Sequence, residues 1–186
     1  DFNIYLQVDY AFGYTRTPFF NKRMDENKEQ KLKGWLARGG YMGGWSLYDQ
    51  AASYTEDMLF AEIHKRIPLK GQALLSQRIR GDTRWIGPDA VFSYRLRYRI
   101  MIEKELKLGG SDIVPYVNIE PFWDSRYSKV VKTRIIGGAT FSHGPLVAFE
   151  GNLTYQYDET YATNNLYAFN LILHLFFERR HTKNPD

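Results

Sequence analysis

Cysteine is absent from the 186-residue chain, which removes disulfide cross-links, cysteine-ligated zinc and thiol nucleophiles from consideration. Long apolar runs are absent too: no stretch approaches the roughly 18 residues that a membrane-crossing helix needs. No Pro/Gly/Ser-rich segment divides the chain, and no secretory leader precedes Asp1, so export would imply a mature or trimmed chain. The catalytic patterns GxSxG and HExxH are missing. Basic excess is small, a net +4 with a pI near 9.1. Lys and Arg recur beside Asp and Glu without forming a block, which argues against a nucleic-acid partner. No cofactor is expected.

Aromatic residues, by contrast, are plentiful: 16% of the chain, with 14 Tyr and 12 Phe, at a mean hydropathy of −0.47. Such a balance suits strands with one apolar and one wet face, because alternation lowers the average. The stretch from Ala90 to Leu106 has this pattern. Ala90, Phe92, Tyr94, Leu96, Tyr98, Ile100 and Ile102 alternate with Ser93, Arg95, Arg97, Arg99, Glu103 and Glu105. That is a strand's period, over a length sufficient to cross a bilayer at a tilt.

The same period predicts eight further strands. Asp1 to Thr15 sets Phe2, Ile4, Leu6, Val8, Tyr10, Phe12 and Tyr14 on one face. The charged run within Thr17 to Lys33 reads as a solvated loop or short surface helix. Leu32 to Leu47 is a strand whose glycines predict curvature, with Trp35, Ala37, Tyr41, Trp45 and Leu47 on one face. After a polar loop from Tyr48 to Asp57 come Met58 to Ile67 and Ala73 to Trp85, then Ile113 to Trp123 with Pro115 and Pro121 expected at its ends. Val130 to Ser142 places Val131, Thr133, Ile135, Ala139 and Phe141 on the apolar face. Leu146 to Tyr157 and Leu166 to Phe177 follow. Pro68 to Gly71, Lys107 to Asp112 and His143 to Pro145 read as the short turns.

Hairpin-scale connections make the sheet antiparallel. An apolar face opposite Arg and Glu has two homes, the inside of a soluble barrel or the lipid-facing outside of a membrane barrel. A closed barrel of about eight strands holds only the side chains that fill it. Several strands bring five to seven large residues each, which exceeds that room. The expectation is therefore an all-β, antiparallel transmembrane β-barrel over residues 1–177, with a polar tail at 178–186, in a bacterial outer membrane. Trp35, Trp45, Trp85 and Trp123 would form interfacial girdles. Bacterial single-chain barrels have even strand numbers, so about ten strands are expected, the tenth upstream of Asp1 or within Thr17 to Lys33. Eight is the alternative.

The order of GYMGGW (Gly40 to Trp45), Glu62, the RIR of Arg78 to Arg80, YRLRYRI (Tyr94 to Ile100) and PYVNIEPF around Glu120 resembles an uncharacterised bacterial outer-membrane barrel family, known only as a domain of unknown function (DUF2490). The resemblance spans about Trp35 to Phe177. It implies an outer-membrane location and brings no activity or catalytic residues. The ending YAFNLILHLFF is similar to the assembly signal of such barrels, although a charged tail follows it.

The candidate site is the inward charge set: Glu62, Arg78, Arg80, Arg95, Arg97, Arg99, Glu103, Glu120 and Arg134, with Asp82, Arg84 and Glu105 beside them. Paired across strands, these residues would make a rigid, ion-paired lumen with a structural, accessory or narrow-channel role. An anion-selective constriction or phosphate-ligand site is the functional variant. An enzyme acting on lipid or lipopolysaccharide is the alternative, with Glu62, His64 and His174 as acid–base candidates and Ser76 and Ser93 as inward hydroxyls. Partners would be outer-membrane lipids and other envelope proteins.

Overall fold

The computed structural model describes residues 2–14, 33–45, 55–109, 111–143, 147–160 and 164–175. They form one antiparallel sheet of ten strands, with no helix among the described residues. In chain order the strands are β1 (Phe2–Tyr14), β2 (Lys33–Trp45), β3 (Thr55–Leu69), β4 (Ala73–Ile86), β5 (Val91–Lys104), β6 (Leu106–Leu108), β7 (Ser111–Asp124), β8 (Lys129–His143), β9 (Val147–Asp158) and β10 (Asn165–Leu175). Each long strand pairs with the next in sequence. The sheet is thus a meander, the topology that short connections permit.

The short strand β6 is not a further crossing, because it continues β5 against the same partner, β7. Proline accounts for the interruption. Between Arg97↔Phe122 and Ile100↔Ile119 the β5–β7 ladder lapses opposite Pro121, and it lapses again between Glu103↔Tyr116 and Leu106↔Ile113, opposite Pro115. Neither proline has an N–H to give. Both lie inside β7 rather than at its ends, six residues apart, so the missing donors fall on the same side of the strand.

Several strand ends differ from the alternation pattern. β3 starts at Thr55, inside the expected polar loop, and Pro68 and Leu69 belong to it. The reversal to β4 uses residues 70–72, with Gly71 and Gln72 at positive φ. Ala90 does not join the apolar face of β5. It closes a turn at φ 49°, its N–H donating to the Gly87 carbonyl. Likewise Lys107, Leu108, Ser111 and Asp112 lie in strands, and Gly109 after β6 is a turn residue at φ 57°. Val131 also departs from the apolar face: a bulge between Phe122 and Trp123 pairs those residues with Lys132 and Val130, and Val131 between them is buried. Leu47, Phe177, the tail and the proposed hidden strand in Thr17 to Lys33 fall largely or wholly outside the described residues.

Burial is inverted relative to a soluble domain. Sixteen polar or charged side chains are buried against seven hydrophobic ones, while 34 large hydrophobics are exposed among the described residues. Cross-strand partners share a face. The row Asp9–Arg38–Glu62–Arg80–Arg97–Phe122–Lys132–Asp158, in which Glu62, Phe122 and Asp158 are buried, therefore runs across eight strands on the polar face, and the neighbouring apolar row Tyr10–Ala37–Ile63–Ile79–Tyr98 runs on the opposite face. Among the described residues, Leu74 packed against Val114 forms the single buried apolar cluster.

From β1 to β10 the chain reverses an even number of times, so these two edge strands run parallel. No backbone pairing joins them among the described residues.

Candidate functional site

The buried polar face carries an ion-pair network whose layout follows from register. Glu62 on β3 stands opposite Arg38 on β2 and Arg80 on β4. Its carboxylate accepts from Arg38 Nη1 at 3.3 Å and from Arg78 Nη1 and Arg80 Nη1 at 3.5 Å each, with His64 Nε2 at 2.8 Å. Glu120 on β7 is the second hub, taking Arg78 Nη2 and, at 3.0 Å, Arg97. Asp82 takes Arg80 Nε at 2.6 Å and lies 3.9 Å from Arg97 Nη1. Asp9 clamps Arg38 through two bonds of 2.7 Å. Four guanidinium groups thus face four carboxylates, and each arginine touches two of them.

A second cluster closes one end of this face. Arg84 donates to Glu56 and, at 3.3 Å, to Asp124, which also holds Arg126 of the following turn. Arg95 approaches Glu56 at 3.7 Å. A third cluster spans β7, β9 and β10: Tyr116 and Asn152 donate to Glu150, His174 Nε2 lies 3.0 Å from it, and Asn170 donates to Asn152. Charge-assisted bonds of this kind are about twice as strong as neutral ones. Removing one partner of such a pair would leave the other charge bare.

Every residue expected to point inward lies on the polar face. Arg99, Glu103 and Glu105 also lie there, the last two buried. Within the network Glu62, Arg78, Arg80, Arg97 and Glu120 come together, whereas Arg134 does not join them. It donates instead to Gln156 Oε1 at 3.1 and 2.8 Å. Glu62 and His64 are buried against each other, and His174 belongs to the separate Glu150 cluster. Ser93 is buried with no hydrogen bond to its hydroxyl. Among the described residues, no group of three His, Asp or Glu side chains could hold a metal ion.

Alternation missed Glu56 and Asp124 because both occupy strand ends that merge into polar turns. Arg38 was hidden among glycines. Phe122, 2% exposed, carries no charge to mark it in the sequence. Its ring lies under four cations, with centroid distances of 4.5 Å to Arg97, 5.2 Å to Arg134, 5.8 Å to Lys132 and 5.9 Å to Arg95. An aromatic two residues from Glu120 on the same face was the available signal.

The family described as a protein of unknown function (DUF2490) matches residues 3–167, and the chain belongs to that family. The match takes in β1, ahead of the Trp35 start of the motif resemblance, and stops within β10. No curated protein and no solved structure matches the chain.

Proposed function

With membership of that family as the premise, we propose that the sheet closes into a β-barrel in a bacterial outer membrane. Its apolar face meets lipid and its ion-paired face lines a narrow lumen. The role that fits is structural or accessory, or that of a narrow channel, with outer-membrane lipids and other envelope proteins as partners. One observation carries this reading: the faces are inverted, with charges buried and large apolar side chains outside. In water, an exposed apolar surface of this extent would be unfavourable at about 25 cal/mol per Å². In a bilayer it is the required exterior.

Supporting features lie at the two ends of the sheet. Trp85–Phe92 and Tyr94–Trp123 ring pairs sit towards one end and the Phe12–Trp35 stack towards the other, as interfacial girdles would. Closure with every pair antiparallel requires one more strand between the parallel β1 and β10. The enzyme alternative calls for Glu62, His64 or His174 beside an open cleft. Each is engaged in a hydrogen bond with its neighbour, His64 to Glu62 and His174 to Glu150, and the first two are buried, which favours the structural role.

Planar-bilayer recording of the purified protein tests the proposal. The expected trace is silent or nearly so, with conductance appearing on Arg97→Ala or Glu120→Ala as the network opens. A large, steady, ohmic conductance from the unaltered protein would reject the plugged lumen. Recovery of folded protein from washed membranes without detergent would reject the membrane placement.

A further inference from the structure

Arg134 is the arginine that the central network leaves over. It stands directly across from Glu120 in the β7–β8 register, yet both Glu120 contacts run the other way, to Arg78 and Arg97. Its Nε and Nη2 turn to Gln156 on β9. An amide oxygen orients a guanidinium without neutralising it, and among the described residues Arg134 makes no ion pair.

This side chain borders an open pocket of about 640 Å³ along β8, β9 and β10, lined mainly from the polar face but also by Phe169 and Leu171 of β10, and within the size range of small-molecule sites. Its walls divide by chemistry. Asn152, Thr154, Gln156 and Asn170 offer neutral hydrogen-bonding groups, whereas Leu166 and Ile172 are apolar and no carboxylate lines the space. On β10 the polar face loses its charge: Leu166, Ala168, Asn170 and Ile172 occupy register positions opposite Gln156, Thr154, Asn152 and Glu150. The apolar wall therefore lies along the strand whose far edge pairs with no other strand among the described residues.

We propose that this pocket binds an oxyanion carried on an apolar body: a phosphate or carboxylate head against Arg134, with the chain lying along Leu166 and Ile172 toward the edge of β10. Guanidinium forks match such heads in a bidentate manner. An anion alone would leave the apolar wall uncovered, and an apolar ligand alone would leave Arg134 uncompensated. The site goes beyond the proposed function and requires only a folded polar face, so it is measurable in detergent.

The test is isothermal titration of the full chain, folded in nonionic-detergent micelles, with dodecyl phosphate and separately with inorganic phosphate. One dodecyl phosphate should bind per chain, at least about tenfold tighter than inorganic phosphate, and Arg134→Gln should weaken it at least about tenfold. Ala168→Trp, which fills the pocket and keeps Arg134, should abolish it. Lys129→Gln, in an exposed turn pair with Glu159, should leave it unchanged. Far-UV circular dichroism reports folding of each variant, and if Arg134→Gln does not fold, the Ala168→Trp result decides. Equal affinity in the unaltered protein and in either folded pocket variant overturns the site. Inorganic phosphate binding as tightly as dodecyl phosphate overturns the amphiphile.

Discussion

Two aromatic rings on the polar face organise the charges around them. Phe60 lies 4.0 Å from the Arg80 guanidinium, and Phe122 lies under four cations. Phe122→Leu keeps most of the apolar volume and removes the ring's negative face. It should lower stability by about 1–2 kcal/mol in denaturant titration, since a desolvated cation–π contact is worth that much. Removing a hub costs more. Glu120→Ala would leave Arg78 and Arg97 buried without their shared carboxylate, an expected loss of about 3–5 kcal/mol. Gly40 has a different function, letting β2 pass close to its neighbours. A Cβ there would sit 2.7 Å from the Phe60 ring and against the Leu6 carbonyl, whereas one at Gly137 would meet nothing within 4 Å. Gly40→Ala should therefore destabilise by about 1–3 kcal/mol and Gly137→Ala by less than about 0.5 kcal/mol, both measured by the same titration.

At the scale of the strand, period-two alternation made the two faces legible and left their pairing hidden. Arg97 could be assigned to the polar face from YRLRYRI alone. That it meets Glu120, and that Arg134 does not, depends on register, which turn lengths and the Val131 bulge set. Strand ends were the other blind spot, because Glu56 and Asp124 carry the polarity of the turns they adjoin. Prolines misled for a physical reason: Pro115 and Pro121 are tolerated inside β7 because their missing donors fall on one side, where the ladder skips a step. The apolar face yields a prediction that belongs to this scale. Arg introduced at Leu96 or Leu171, exposed by 50% and 76%, should cost about 2–4 kcal/mol when unfolding is measured from a bilayer. The same changes should be near neutral if those faces meet water.

For the whole molecule, the parallel course of β1 and β10 bears on amide protons. Along each of these strands alternate N–H groups bond the inner neighbour, while the rest point away from the sheet. In an open sheet, the outward set would exchange with heavy water almost as fast as free peptide, even while β4 and β5 stayed protected. Closure by one more antiparallel strand would remove that two-residue rhythm. Hydrogen exchange followed residue by residue in micelles should then give Val8 and its neighbours, and Ala168 and its neighbours, uniform protection comparable to that of Ile79. A sawtooth of fast and slow sites along β10 would instead identify a seam, an edge from which another chain could be templated.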